Sequence, residues 1–236
     1  MQPQQVPNGN RLLASLSADD FARLQPHLEP VSLALRQVLI EPNTAIKHAY
    51  FPVQGMSSVT NNCAGGKIEV GVVGREGMVG LPIVLGIDRT PYEHFMQISG
   101  HGWRIAVRDL EQAIAQSRSL HRHLLRYVQA SHVQASETAF ANANSDIEAR
   151  LARWLLMCHD RVEDDDIPLT HEFIAMMLGV RRPGVTVALH VLEGIGVIRA
   201  KRGLITVLDR EKLEELADEA YGLSEAEYTR LIGAEP

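Results

Sequence analysis

The chain has 236 residues, 45% of them apolar and 22% charged, an ordinary globular composition that can fill one large or two modest cores and excludes a disordered, collagenous or rod-like coiled-coil chain. Its 23 Lys and Arg face 29 Asp and Glu, a net charge of −6 at pH 7, which argues against a general coat for nucleic acid or membrane surfaces. Two cysteines, Cys63 and Cys158, lack metal-ligand or disulfide-framework spacing, so a reducing cytoplasm is the expected location. The start MQPQQVPNGN lacks a signal pattern, and the longest apolar run, Val79 to Ile87, is too short for a bilayer.

Leu12 to Leu28 reads as a short helical segment, with Ser17 ahead of Asp19 and Asp20 as an N-cap and Pro26 near its end. Ten of the eighteen glycines then fall between positions 55 and 102, among short apolar segments such as Val38-Leu39-Ile40. The alternations Ile68/Val70/Val72 and Trp103/Ile105/Val107 have the period of half-buried strands, and Gly65-Gly66 supplies a hairpin turn. A β-rich barrel or sandwich with many turns is expected.

From Arg108 to Asp160 there is no Gly or Pro, and Leu120, Leu124, Tyr127, Ser131, Gln134, Thr138 and Ala141 recur at alternating spacings of four and three. This predicts a long helix, either packed on its own β domain or pairing with a second copy of itself. Asn142 to Ser145 breaks it. Ile147, Leu151, Trp154, Leu155 and Cys158 mark another amphipathic helix before the acidic run Glu163 to Asp166.

Thr170 can cap a helix through Leu178 that turns Phe173, Ile174 and Met177 inward and ends at Gly179. Pro183 suits the first turn of a second helix whose buried stripe is Val185, Leu189 and Leu192. Two short helices joined by a tight glycine turn make a helix-turn-helix. Between Gly179 and Gly203 the charged residues are Arg181, Arg182, Arg199, Lys201 and Arg202 against Glu193 alone, a sign reversal inside an acidic protein. The first two arginines stand at the amino end of the second helix, where a recognition helix meets base edges and phosphates. Val197 to Val207 reads as strand, basic turn and strand, a wing placed to touch a phosphate backbone.

At this point the chain resembles the Crp/Fnr family of bacterial transcription regulators over nearly its whole length. The most specific part is LTHEFIAMMLGVRRPGVTVALHVLEGIGVI with the basic hairpin after it, which looks like that family's winged helix-turn-helix. GREGMVGLPIVLGIDRT resembles the phosphate-binding cassette of a cyclic-nucleotide-binding β-roll. The resemblance implies an α+β chain: a jelly-roll-like β-roll sensor over residues 11–116, a dimerisation helix and hinge over 117–144, and a winged helix-turn-helix with a helical tail over 145–236. It also implies a cytoplasmic homodimer on a palindromic operator, with double-stranded DNA and RNA polymerase as partners and no membrane. The pairing helix would present Leu120, Leu124, Tyr127, Ser131, Gln134 and Thr138. The DNA-binding set is Thr170, Arg181, Arg182, Thr186, Val187, His190, Arg199, Lys201 and Arg202.

Carried over residue by residue, the resemblance has gaps. The pair that meets the ribose of cyclic AMP is Gly-Glu in members that bind it and Gly80-Leu81 here; leucine cannot accept the sugar hydroxyl, and leaving that group unpaired costs about 1–3 kcal/mol. Arg89-Thr90 matches the phosphate pair, and of two hydroxyls that meet adenine only Ser136 is kept, beside Ala135. Pro82 and Pro91 depart from the usual spacing. Only Arg182 of the commoner recognition-helix pattern is present, so the operator should differ from the better-known ones. An effector other than cyclic AMP is expected and no cofactor is assigned. No cysteine cluster precedes Cys63 to hold iron and sulfur; haem stays open through His48, His94 and His101, whereas His121 and His123 face different sides of a helix. An enzyme is not expected, because a Walker loop, a GxSxG elbow and HExxH are all missing. The alternative is a cyclic-nucleotide- or haem-responsive sensor module whose second domain binds protein rather than DNA.

Overall fold

A computed structural model describes residues 9–63 and 66–233, which divide into two compact units. The first comprises the chain up to Val59, Val72–His132 and the tail from Glu227; the second comprises Thr60–Gly71 and Val133–Ala226. The division therefore falls inside the long helix rather than at residue 145. The turn predicted at Gly65-Gly66 lies outside the described residues, at 64–65.

The first unit opens with α1 (Arg11–Ala14) and α2 (Ala18–Leu24). Asn10, wholly buried, caps α1 by accepting from Leu13 N at 3.0 Å and donates to the carbonyls of Pro52 and Gly77 at 2.8 and 2.9 Å. Ser17 caps α2, as its position indicates, by accepting from Asp20 N at 3.2 Å. The strands are β1 (Glu29–Leu33), β2 (Val38–Ile40), β3 (His48–Pro52), β4 (Met56–Cys63) and β5 (Gly66–Val73), of which β4 runs into and β5 out of the second unit's Thr60–Gly71. After the short helix α3 (Leu81–Val84) come β6 (Glu93–Ile98) and β7 (Gly100–Ala106).

They form two sheets, ordered β1-β7-β3 and β2-β6-β4-β5. In the first, Ile105 stands opposite Ala49, and Trp103 opposite Phe51. Ala49, Phe51 and Ile105 are fully buried, as the alternation around residue 105 predicts. At Gly102 the strands approach so closely that a Cβ would lie 2.4 Å from the Phe51 carbonyl oxygen, so only glycine fits.

Two helices follow, α4 (Val107–Gln116) and α5 (Arg118–Asn144). They are separated by Ser117, which is extended; its hydroxyl donates to Asp20 Oδ1 at 2.5 Å and accepts from Leu120 N at 3.2 Å, opening α5. Leu120, Leu124 and Tyr127 are all buried in the first unit's core with Leu12, Leu24, Phe51 and Met78. This corrects their assignment to a pairing seam: burying each large side chain is worth about 1.5–3 kcal/mol within its own unit, and Gly77 exists to admit Tyr127, whose ring leaves no room for a Cβ there. The tail returns to the same core, where Tyr228 packs edge-on to Tyr127 at 6.5 Å and donates to the Glu76 carbonyl at 2.7 Å. That contact is why the last residues group with the first unit.

The second unit contains α6 (Ile147–His159), β8 (Asp166–Ile167), α7 (His171–Leu178), α8 (Arg182–Ile195), β9 (Ile198–Lys201), β10 (Leu204–Val207), α9 (Arg210–Ala217) and the start of α10 (Leu223–Ile232). Asp146, just after the predicted break, caps α6 by accepting from Ala149 N at 2.9 Å. Leu151, Leu155, Ile174, Val185, Leu189, Leu192, Val197, Ile205 and Leu213 are all buried and form its core. Cys158 is wholly buried within it, which pushes its thiol well above the usual range and leaves it inert. The Ile68/Val70/Val72 alternation fails here: Ile68 is exposed while Glu69 is buried, its Oε1 accepting from the Trp154 indole at 2.7 Å. A tertiary donor overrides the strand pattern.

Candidate nucleic-acid interface

The interface is built on α7 and α8. Thr170 Oγ1 accepts from Phe173 N at 3.3 Å to start α7, and Gly179, at φ 63°, ends it with Val180 N donating to Ala175 O at 3.0 Å. Two residues later Pro183 occupies the first turn of α8, where no intrahelical bond is lost. Val185, Ala188, Leu189 and Leu192 bury one face of α8. The opposite face carries Arg182, Pro183, Val187, His190 and Val191, all exposed. Gly196, at φ 86°, stops the helix and leads into the wing.

The wing is a three-stranded sheet in the order β8-β10-β9, with Lys201 opposite Leu204 and Arg199 opposite Thr206. Arg202 and Gly203 form its turn, Gly203 at φ 76°. Arg199, Lys201 and Arg202 are exposed on this hairpin, and Arg181 and Arg182 at the start of α8. None of the five makes an ion pair among the described residues. The lone acid of the stretch is engaged elsewhere: Glu193 Oε1 accepts from Ala200 N at 2.9 Å, tying the end of α8 to the wing.

Of the remaining predicted contacts, Thr170 and His190 are exposed. Thr186 is half-buried and its hydroxyl is engaged in two directions: it donates to the Arg182 carbonyl at 3.2 Å and lies 3.3 Å from His171 Nδ1. It helps hold α7 against α8. The acidic run is nearer the basic stretch than its sequence position implies, because Asp166 lies in β8 and accepts from Thr206 Oγ1 at 2.6 Å.

A polar network in the same unit had no sign in the sequence. Arg210 donates to Asp160 Oδ1 at 2.8 Å, to Glu214 Oε1 at 2.8 Å and to Tyr221 Oη at 2.7 Å, while Tyr221 Oη donates to Asp160 Oδ2 at 2.8 Å. Burial, aided by Asp160, raises the Tyr221 phenol above its usual range and keeps it a donor. Spacing gives no sign of a network drawn from the end of α6, from α9 and from the loop before α10.

The family model of the Crp-like helix-turn-helix domain matches residues 149–216, which span α6 to α9. No curated protein matches the sequence. Among solved structures, FixK2 of Bradyrhizobium japonicum is 16% identical with a TM-score of 0.71, covering 82% of this chain and 99% of that one. A CRP-family transcriptional regulator of Thermus thermophilus is 19% identical, with a TM-score of 0.68 and coverage of 81% and 98%. CLP of Xanthomonas campestris, a c-di-GMP-responsive global regulator, is 17% identical, with a TM-score of 0.60 and coverage of 81% and 99%. The chain has the Crp/Fnr fold and a Crp-like helix-turn-helix domain.

Within this fold the predicted effector residues have different surroundings. Arg89 is exposed and spends its guanidinium on its neighbour Asp88, Nε and Nη2 reaching the two carboxylate oxygens at 3.0 and 2.9 Å. Gly80, at φ 112°, opens α3, and Leu81 packs on the core. Thr90 is buried and accepts from Tyr92 N at 3.3 Å. Ser136 lies on the exposed face of α5, in the stretch belonging to the second unit. The three histidines considered for haem differ: His101 is exposed, His48 half-buried, and His94 buried, with burial lowering it to about 4. No group of three or more His, Cys, Asp or Glu among the described residues could hold a metal ion, and no described helix is long and apolar enough to cross a membrane.

Proposed function

We propose that the protein is a sequence-specific, double-stranded-DNA-binding transcription regulator that works as a homodimer on a palindromic operator. The observation that carries this reading is the set of five exposed cations at the start of α8 and on the wing, without acidic partners among the described residues, in a chain of net charge −6. Phosphate contacts from Arg199, Lys201 and Arg202 position the domain; Arg182 reads guanine bidentately, and Val187 meets a thymine methyl. Arg181, Thr170 and His190 flank them, and Thr186 acts by holding the two helices together.

The pairing surface is the exposed face of α5. Leu125, Gln129, His132, Ser136, Ala139 and Ala143 are exposed and recur at alternating spacings of four and three, the period of a two-stranded seam. Ser131, Gln134 and Thr138, all half-buried, border it. RNA polymerase as a partner and the cytoplasm as location follow from the family alone. The pairing of Arg89 with Asp88 and the packing of Leu81 support an effector other than cyclic AMP.

The test is selection of bound sequences from a random DNA pool, followed by fluorescence anisotropy across a salt series and sedimentation of the free protein. A dimer that enriches an inverted repeat and binds it at least about a thousandfold tighter than random DNA fits the reading. Equal affinity for selected and random DNA would refute it.

A further inference from the structure

A second basic stretch lies within the first unit. From Arg118 to Arg126 the chain holds Arg118, Arg122 and Arg126 with His121 and His123 and no acidic residue. Arg122 and Arg126 are exposed, stand four residues apart on one face of α5, and make no ion pair among the described residues. Like charges at that spacing repel weakly on a helix, by about 0.2–0.5 kcal/mol, a repulsion that an anion lying between them would relieve.

These arginines border a groove of about 280 Å³ between α2 and the start of α5, with Leu16, Ser17 and Ser119 on its other sides. The volume is just under the range of drug-sized sites, the scale of a small metabolite. Asp20 forms the floor, but its charge is already engaged. It is buried and accepts from Ser17, Ser117 and Ser119 at 2.9, 2.5 and 3.0 Å. Burial alone would favour its neutral form; the three hydroxyls outweigh that and hold its carboxyl below the usual range. His123 is fixed in the wall. Ser15 Oγ donates to the Leu12 carbonyl and so accepts from His123 Nε2 at 2.8 Å. The groove thus has an organised floor and wall and two unspent guanidinium groups at its rim.

We propose that this groove binds a small, multiply charged diphosphate anion, gripped by Arg122 and Arg126. Forked N–H groups match phosphate oxygens bidentately, and two guanidinium groups four residues apart suit a diphosphate better than a single carboxylate. The site shares no residue with Arg89-Thr90 or with the DNA-binding set.

Inorganic pyrophosphate, titrated calorimetrically into the full chain near physiological salt, tests the proposal. The expected result is saturable binding of one pyrophosphate per chain. The double variant Arg122→Ala/Arg126→Ala should weaken it by about tenfold or more, since two charge-assisted contacts are lost. Arg202→Ala should leave it intact. Both groove arginines are exposed, so the double variant should keep the parent's thermal midpoint, and Arg122→Lys/Arg126→Lys should bind with intermediate affinity. No saturable binding to the parent, unchanged binding in the double alanine variant, or an equal loss in Arg202→Ala would each overturn the site. Full binding by the lysine pair would overturn the forked recognition.

Discussion

Arg182 and Arg89 are both exposed arginines at positions where the Crp/Fnr resemblance places a phosphate or a base, yet their surroundings differ. Arg89 has an acid beside it in sequence and closes on it through two hydrogen bonds. Arg182 stands at the start of α8 beside Arg181, and neither has an acidic partner among the described residues. The contrast teaches that a cation's availability, more than its position in a motif, separates a surface built for an anion from a solvated loop. It also separates the two units: the five cations of the second have no acidic partner among the described residues, while in the first Arg89 pairs with Asp88 and Leu81 packs on the core.

Removing the scaffold under the basic surface should have the largest effect. Leu189 is fully buried beneath α8, and Leu189→Ala should destabilise the protein by about 2–5 kcal/mol in denaturant unfolding, with loss of DNA binding at ordinary temperature. Acid should strike the first unit. His94 takes up a proton near pH 6.5 when unfolded but only near 4 when folded, because burial disfavours its charged form. Stability should therefore fall as pH drops through that window, by about 3 kcal/mol when the fall is complete. A His94→Gln variant should show a flatter profile, and an unchanged profile would remove His94 as the cause.

At the interface itself, Arg182→Ala should cost about 1–3 kcal/mol of discrimination between operator and random DNA, measured by competition. Lys201→Ala should weaken both DNAs alike and reduce the salt slope by about one. The smallest effect belongs to the other arm of the comparison. Arg89→Ala should change neither the thermal midpoint nor operator affinity, and a clear loss of either would mean that Arg89 does more than pair with Asp88.

Much of the second unit was legible in the sequence because its signals are local. Thr170, Gly179, Pro183 and the Val185/Leu189/Leu192 stripe each act within a few residues, and each has its predicted place. The break within Asn142–Ser145 and the Ser17 cap were legible for the same reason. The seam of α5 was not: a spacing of four and three marks any helix with one buried stripe and does not say what covers it, and here Leu120, Leu124 and Tyr127 turn to their own core. Glu69 misled the strand pattern because its partner, Trp154, lies 85 residues away. The groove beside Arg122 and Arg126 needs α2 and α5 brought together, which no run of the sequence shows.

The central claim is most directly tested by footprinting the full chain on DNA fragments that it enriches from its own genome. Two protected half-sites of inverted sequence, centred about 34–36 Å apart, are expected for a two-fold dimer that places one α8 in each major groove. Uniform protection, or none on any fragment, would contradict the account.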